Sequence, residues 1–508
     1  DDDILAGLPA SLSDLGAAAG LPELAAAQGA IDAAFSAFPD FDAVARHAAG
    51  ALASVRAAIG RLPGAGPADL AHRLARKEAQ LSQVIALAAG VEAAASAAGI
   101  WLRPGDATGV TVETRPGAAD AVETALDLPG GWSMDGDAML LGPDAAPHDP
   151  YRAAFDPLRP PAPALVARVS AHGVTCETRT SFVVPPVAQP AVTAGLAPDR
   201  AVLNLARPGR RVDIALTDLH PPDAAPGFAL PPGWRSDTVG GGIALALPAD
   251  VAAGLYTLPL RLGGAAAQTV RRIVHTHIHP TLQTAPAALR IRVIDVALPR
   301  ARVGYAGGGN DRVAHWLRTL GAEVSDDDFG SAGALSGFDT IIVGIFAFRF
   351  RPGLAAAAPA LRGWVERGGH LVTLYHRPWD GWDPDAVPPR RLEIGQPSLR
   401  WRVTDETAAV THLAPDHPLL NAPNRIGPQD WDGWHKERGL YFARSWDDAY
   451  QPLLQMADPG EHPHRGALLS AEVGQGRHTH CALILHHQME HLVPGAYRLM
   501  ANLAAPAR

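Results

Sequence analysis

The chain has 508 residues, 47% apolar and 19% charged, and its 43 Lys+Arg against 52 Asp+Glu leave a net charge of −9. This balance excludes a disordered chain and a basic, nucleic-acid-coating surface, and the length predicts several modules at ~100–200 residues each. The longest apolar runs, such as residues 340–348, fall short of the ~20 that span a bilayer, and Cys176 and Cys481 alone provide neither a disulfide framework nor a Cys-based zinc module.

The chain opens Asp1-Asp2-Asp3-Ile4, with no initiator Met, basic n-region or apolar h-region, and reads as a processed, cloned or fragmentary product of something longer. Residues 1–98 are Ala- and Leu-rich, broken by Pro39, Pro63 and the glycines at 64–66, and are predicted to be a helical module. Its best helix starts near Pro67 and sets Leu70, Leu74, Leu81, Ile85 and Ala88 on one face, with Arg73, Arg76, Lys77 and Gln80 opposite. Such a module packs and spaces its neighbours.

Near Trp101 short alternating segments with Pro and Gly every ~10 residues signal β-sandwich strands. Leu128-Pro129-Gly130-Gly131-Trp132 recurs as Leu230-Pro231-Pro232-Gly233-Trp234. The repeat predicts two tandem antiparallel β-sandwiches, over residues 99–187 and 188–288.

Residues 289–508 change to strand–helix–strand. Residues 302–306, 340–348, 370–375 and 478–485 read as strands, and helices are expected over 311–320, 354–367 and from Pro494 through Leu503. This predicts an open α/β domain, whose ligands gather at the carboxyl ends of its strands.

Three segments carry possible chemistry. His487-Gln488-Met489-Glu490-His491 matches H-x-x-E-H, which on a helix places two imidazoles one turn apart for zinc with the Glu available as base; a strand-to-helix loop is the competing reading, because Pro494 follows closely. Gly307-Gly308-Gly309 after a strand, with Asp326-Asp327-Asp328 downstream, suggests a dinucleotide loop, although Arg312 replaces the last glycine. His275-Thr276-His277-Ile278-His279 would set three imidazoles on one face of a strand, or simply close the second sandwich. No G-x-S-x-G, H-E-x-x-H or P-loop occurs. At the turn where a glutaminase-type α/β domain carries its cysteine this chain has His376, so the domain is expected to be catalytically silent.

Eight of eleven Trp and thirteen of twenty-one His lie beyond residue 300. Aromatic faces beside polar groups suit sugar rings. His376, Trp379, Trp382, Trp434, His435 and Arg438 are therefore the candidate glycan-binding residues, with filling between domains as the alternative.

Several blocks carry a family resemblance. Trp401-Arg402-Val403-Thr404-Asp405-Glu406, Pro415-Asp416-His417-Pro418-Leu419-Leu420-Asn421, Asp432-Gly433-Trp434, Glu437-Arg438-Gly439-Leu440-Tyr441-Phe442, Asp458-Pro459-Gly460-Glu461, Arg465-Gly466-Ala467-Leu468 and Val493-Pro494-Gly495-Ala496-Tyr497-Arg498-Leu499 are similar to the C-terminal region of large bacterial PIG-L (LmbE-like) de-N-acetylases. Arg76-Lys77-Glu78-Ala79-Gln80 resembles the family's helical linker, and His277-Ile278 its step before the last domain.

The resemblance implies a zinc-dependent catalytic domain followed by helices, β-sandwiches and a glutamine-amidotransferase-like α/β domain at 289–508. The family's zinc motif A-H-P-D-D-E is absent, and Asp416-His417-Pro418 is only an echo of it, so no catalytic or zinc residue carries over. The expectation is a non-catalytic accessory region without its own cofactor. Its partners would be the PIG-L catalytic domain and an amino-sugar glycan, with no nucleic acid and no membrane span, and the resemblance implies an exported protein. The alternatives are a metal-dependent hydrolase built on His487, Glu490 and His491, and a purely structural or oligomerisation region.

Overall fold

The computed structural model describes residues 8–62, 68–151, 156–327, 329 and 335–508. The expected helix start at Pro67, its break at 63–66, the opening at 1–4 and Asp328 lie outside these residues. The chain condenses into two compact units: residues 1–194 with 218–224 and 267–286, and residues 195–217 with 225–266 and 287–508.

The first unit begins with helices Leu12–Ala19, Glu23–Ala37, Phe41–Gly60 and Ala68–Ala88. Ser11 caps the first by accepting from the Asp14 N–H, and Asp40 caps the third through the Ala43 N–H. Leu70, Leu74, Leu81 and Ile85 are buried as their spacing predicts. They join Leu24, Leu52 and Val55, and pack with Val169 and Cys176 of the Ala164–Ala171 and Val174–Ser181 strands. Phe35, Phe38 and Phe41 remain exposed on the same helical layer. No helix among the described residues is long and apolar enough to cross a membrane.

The helical module ends earlier than its composition suggests. Gly90 takes a left-handed φ of 70°, and Glu92–Ala97 is already a strand, paired antiparallel with Ala107–Arg115. Alanine favours helix, but here Ala95 is fully buried against Met139, Leu165 and Phe182 between two sheets, and that packing overrides propensity. One sheet holds Glu92–Ala97, Ala107–Arg115, Ala138–Leu141 and Trp132–Asp135, and the other holds Ala121–Asp127, Ala164–Ala171 and Val174–Ser181.

The sequence repeat is a repeated turn. The Trp132 N–H donates to Pro129 O at 3.1 Å and the Trp234 N–H to Pro231 O at 3.2 Å, while Gly131 and Gly233 both sit at φ 82°. Each turn leads into a hairpin, Trp132–Asp135 with Ala138–Leu141 and Arg235–Val239 with Gly242–Ala246. Left-handed φ is why glycine precedes each tryptophan.

In the second unit, Arg200–Asn204, Ala288–Ile294, Gly254–Leu262 and Pro226–Phe228 form a further sheet. Ala288–Ile294 pairs in parallel with Arg200–Asn204 and antiparallel with Gly254–Leu262, so it belongs to the sandwich rather than to the α/β part. The α/β sheet has seven strands, in the order Glu323–Asp326, Arg302–Ala306, Thr340–Val343, His370–Leu374, Gly476–Cys481, Leu468–Val473 and Tyr450–Pro452. The first five run parallel, Leu468–Val473 pairs antiparallel with Gly476–Cys481, and Tyr450–Pro452 pairs antiparallel with Leu468–Val473. Helices Val313–Leu320, Pro352–Glu366 and Pro494–Leu503 accompany them. The apolar run from 340 stays strand only to Val343, because Phe346 turns left-handed (φ 56°) and starts a short helix, Ala347–Phe350.

Two buried asparagines lock the last helix. Asn502 donates to Leu419 O (3.0 Å) and Asn424 O (2.7 Å) and accepts from the Asn424 N–H (2.9 Å) and side-chain amide (3.1 Å). Asn424 also accepts from the Ala297 N–H and donates to Ala297 O, both at 2.9 Å. Replacing Asn502 strands several buried groups at about 1–3 kcal/mol each. We expect Asn502→Leu to lower the urea-unfolding stability of this unit by about 3 kcal/mol or more; a loss below about 1 kcal/mol would show the network to be dispensable.

Candidate functional site

In an open α/β sheet the strand order reverses at a crevice outside the carboxyl ends of the strands. Here the reversal lies between Arg302–Ala306 and Thr340–Val343. A cavity of about 530 Å³ opens there, lined by Gly307, Gly308, Gly309, Arg351 and Pro352. Gly308 serves close packing, since a Cβ there would stand 3.0 Å from Ile345 O, and Gly309 takes a left-handed φ of 80° with open space around it. Asp311 holds the loop by accepting from the Tyr305 hydroxyl and from the Val313 and Ile345 N–H groups, and burial raises its pKa. Asp326 is ion-paired with Arg318 at 2.6 Å, and Asp327 accepts from the Phe329 N–H at 2.6 Å. These two acids are thus engaged locally rather than offered to a ribose.

The next strand end carries the turn at His376. His376 is fully buried, donates from Nδ1 to Leu374 O (2.8 Å) and accepts at Nε2 from the Phe348 N–H (3.3 Å). Burial lowers its pKa to about 4, and the ring is enclosed by Phe348 and Trp382. It therefore contacts no ligand, contrary to its expected place in a sugar pocket.

Outside that turn lies an aromatic cluster around the buried Tyr375, with Phe346 and Tyr441 partly exposed. The Phe346 ring meets Tyr375 edge-on at 5.3 Å, and Tyr375 lies 5.7 Å from Tyr441. The Arg377 guanidinium sits 4.3 Å above Phe346 and 5.6 Å from the Trp379 ring. It is fixed by a two-pronged contact to the fully buried Asp380, at 2.8 and 2.9 Å. Trp379 itself is 58% exposed, unusual for an indole.

The other candidates separate. Trp382 is buried and donates its indole N–H to Leu392 O at 2.9 Å. Trp434 and Arg438 are also buried: the indole bonds Asp430 O at 3.0 Å, packs on Trp431, and lies under the guanidinium, which donates to Ala408 O and Trp431 O. These residues are packed into the core of the α/β part. His435 is exposed and belongs to a separate imidazole group with His487 and His491. No hydrogen bond or ring contact joins it to Trp379 among the described residues, so the predicted single pocket is not formed.

Two other motif readings change. Glu490 of the H-x-x-E-H segment accepts from the Trp316 indole at 2.8 Å and pairs with Arg312 at 3.3 Å, so it is held away as a structural acceptor. Residues 276–277 form a turn between Gln268–His275 and Ile278–Pro286, with His275 opposite Ile278, so the three imidazoles of that segment do not share a strand face.

The sequence reading missed a buried imidazole row. His370 donates from Nδ1 to Ala505 O (2.6 Å) and meets the Thr479 hydroxyl at Nε2 (2.8 Å). His478 joins the Tyr450 hydroxyl (2.5 Å) to Thr373 Oγ1 (3.0 Å), which also meets His480 Nδ1 (3.0 Å). Tyr450 donates its single proton to Arg390 O, so His478 Nδ1 donates to Tyr450, Thr373 donates to His478 Nε2, and His480 Nδ1 donates to Thr373. All four buried rings, His376 included, are then neutral Nδ1–H tautomers. The available signal was the alternation His478-Thr479-His480, which puts both histidines on one strand face.

No protein-family description and no curated protein matches the sequence. Among solved structures, a cold-adapted β-galactosidase from Rahnella sp. R3 is similar over 39% of this chain and 32% of its own, at 13% identity and a TM-score of 0.22. The N-terminal eight immunoglobulin domains of Down syndrome cell adhesion molecule align over 43% of this chain and 27% of theirs, at 13% identity and TM-score 0.13. Three N-terminal domains of the bacteriophage RB49 outer capsid protein Hoc align over 41% and 71%, at 10% identity and TM-score 0.13. The chain thus spans about a third of the β-galactosidase it matches, and at these scores none of the likenesses assigns a family or a function.

The buried row sets an acid response. Burial lowers His370 and His480 to about 3 and His376 to about 4, and lowers His478 well below its usual value. Folded values below the unfolded ~6.5 mean that the unfolded chain binds more protons. Stability is therefore full above pH ~6.5 and falls on acidification toward the folded values, by up to about 1.4 kcal/mol per pH unit per histidine. Denaturant unfolding of the second unit at pH 7, 6 and 5 should show progressive loss; a flat profile would contradict the neutral row.

Proposed function

We propose that this chain is the non-catalytic accessory part of a PIG-L-type (LmbE-like) N-acetyl amino-sugar deacetylase, and that its α/β part, amidotransferase-like but without a nucleophile, holds glycan for the enzyme. In this reading zinc and the catalytic residues belong to a catalytic domain of the same parent protein, which acts on exported or cell-surface sugars. The block resemblance in the last 220 residues supports the parentage.

The observation that carries the glycan role is Trp379. Its exposed indole stands at the carboxyl end of a central strand beside Arg377, which Asp380 holds in place. A sugar ring stacks its C–H face on such an indole while a neighbouring cation meets its polar edge. Binding energy gained there, away from the reacting bond, helps to position the acetamido group at the catalytic domain. The enclosed, neutral His376 agrees with holding rather than chemistry.

Calorimetric titration of the chain with N-acetylglucosamine oligomers and their partly deacetylated forms is expected to show saturable binding. Trp379→Ala should weaken it about tenfold, the value of one stacking contact, with unchanged unfolding. Absence of binding to every oligomer at millimolar concentration would overturn the glycan role. The parentage is tested separately by the gene's upstream reading frame, where an A-H-P-D-D-E segment is expected.

A further inference from the structure

The group formed by His435, His487 and His491 lies outside the aromatic surface and has no part in the function proposed above. One ligating nitrogen from each ring lies within 4.8 Å of the other two, and His435 Nδ1 is 2.9 Å from His487 Nε2. The ring centroids of His435 and His491 are 4.0 Å apart, and those of His487 and His491 4.4 Å. We propose that these three imidazoles form a divalent transition-metal site of the zinc class, with His435, from outside the H-x-x-E-H segment, as the third ligand.

The local fold accounts for the convergence. His487 lies in the helix Leu485–Glu490 and His491 follows as its cap, with the His491 N–H donating to His487 O at 3.1 Å. That one-turn spacing puts both rings on the same side. His435 comes from a loop that the fully buried Gln488 clamps: the amide accepts from the His435 N–H at 2.9 Å and donates to His435 O at 2.8 Å. The residue between the two helical histidines thus fixes the third, which is the preorganisation a metal site needs.

Tetrahedral zinc with Zn–N bonds of ~2.0–2.1 Å sets its ligand nitrogens roughly 3.3 Å apart. His435 Nδ1 and His487 Nε2, 2.9 Å apart, lie near that value, and a nitrogen from each of the three rings lies within 4.8 Å of the other two, within reach of one ion after ring rotation. Glu490 is excluded by its bonds to Trp316 and Arg312, and the exposed side of His435 leaves the fourth position to water or another small ligand. Borderline imidazole donors select zinc, cobalt, nickel or copper over magnesium and calcium.

The test uses the full chain, stripped with EDTA, dialysed and titrated with Zn²⁺ by calorimetry and with Co²⁺ by visible absorption. One equivalent of each ion is expected, with cobalt giving the strong bands of a tetrahedral nitrogen site. His435→Ala, His487→Ala and His491→Ala should each weaken Zn²⁺ binding by more than about 100-fold, beyond the usual effect of outer-shell changes. Glu490→Gln, whose amide oxygen still accepts from Trp316, should bind as the parent does. Circular dichroism of each variant separates ligand loss from misfolding; His435, being exposed, is the decisive one. Lack of stoichiometric uptake, a folded His435→Ala that binds normally, or a Glu490→Gln as weak as the histidine variants would each overturn the site.

Discussion

The α/β sheet of this protein is built around imidazoles that must remain uncharged. His370, His376, His478 and His480 are each fully buried, and each has a partner that fixes which nitrogen carries its proton. At two of them a charged ring would add an N–H with no acceptor: at His376 it would face the Phe348 N–H, and at His480 it would meet no partner at Nε2. Buried polar groups are costly unless satisfied, so strand register, tautomer and pairing are one constraint. Thr373 lies opposite His480 in the parallel pairing and reaches His478 as well. A slip of one residue would turn these side chains to the other face and leave their partners unpaired.

The same constraint shapes the surface above. Because His376 is enclosed by Leu374 O and the Phe348 N–H, the turn where this architecture could expose a reactive group is closed. The Phe346 backbone bends left-handed over it, and its ring becomes the floor on which Arg377 rests. Asp380, buried and accepting from the Arg377 side chain and N–H, holds that arginine beside Trp379. What reaches solvent at this strand end is an aromatic and cationic surface, suited to recognition.

Regular periodicity made most of the architecture legible in the sequence. The apolar face from Leu70 to Ile85, the Leu-Pro-x-Gly-Trp turns and the strands at 302, 340 and 370 all follow from local spacing and from glycine's left-handed freedom. The boundaries were less legible where tertiary contact decides: Glu92–Ala97 is an alanine-rich strand because Ala95 fills a sandwich core, and Ala288–Ile294 sits with the sandwich because of its pairing. Site residues were hardest, because burial of a tryptophan or histidine depends on residues far away in sequence. Trp379 and Trp382 are three positions apart and look alike in the sequence, yet one is exposed and the other is sealed by Leu392 O.

Histidine meets two opposite fates here, and the difference lies in its neighbours. In the sheet every ring is matched to a hydroxyl or carbonyl, and no two of these rings are hydrogen-bonded to each other. Around the Leu485–Glu490 helix the rings face one another instead, His435 against His487 and His491, with the one carboxylate of the segment drawn off to Trp316 and Arg312. A neutral imidazole has one N–H and one lone pair, so rings brought this close can offer their lone pairs to a divalent cation, which is the site proposed above. The pattern in the sequence named two of the three rings; the third, 52 positions away, is brought in by Gln488, a residue that the pattern treats as filler.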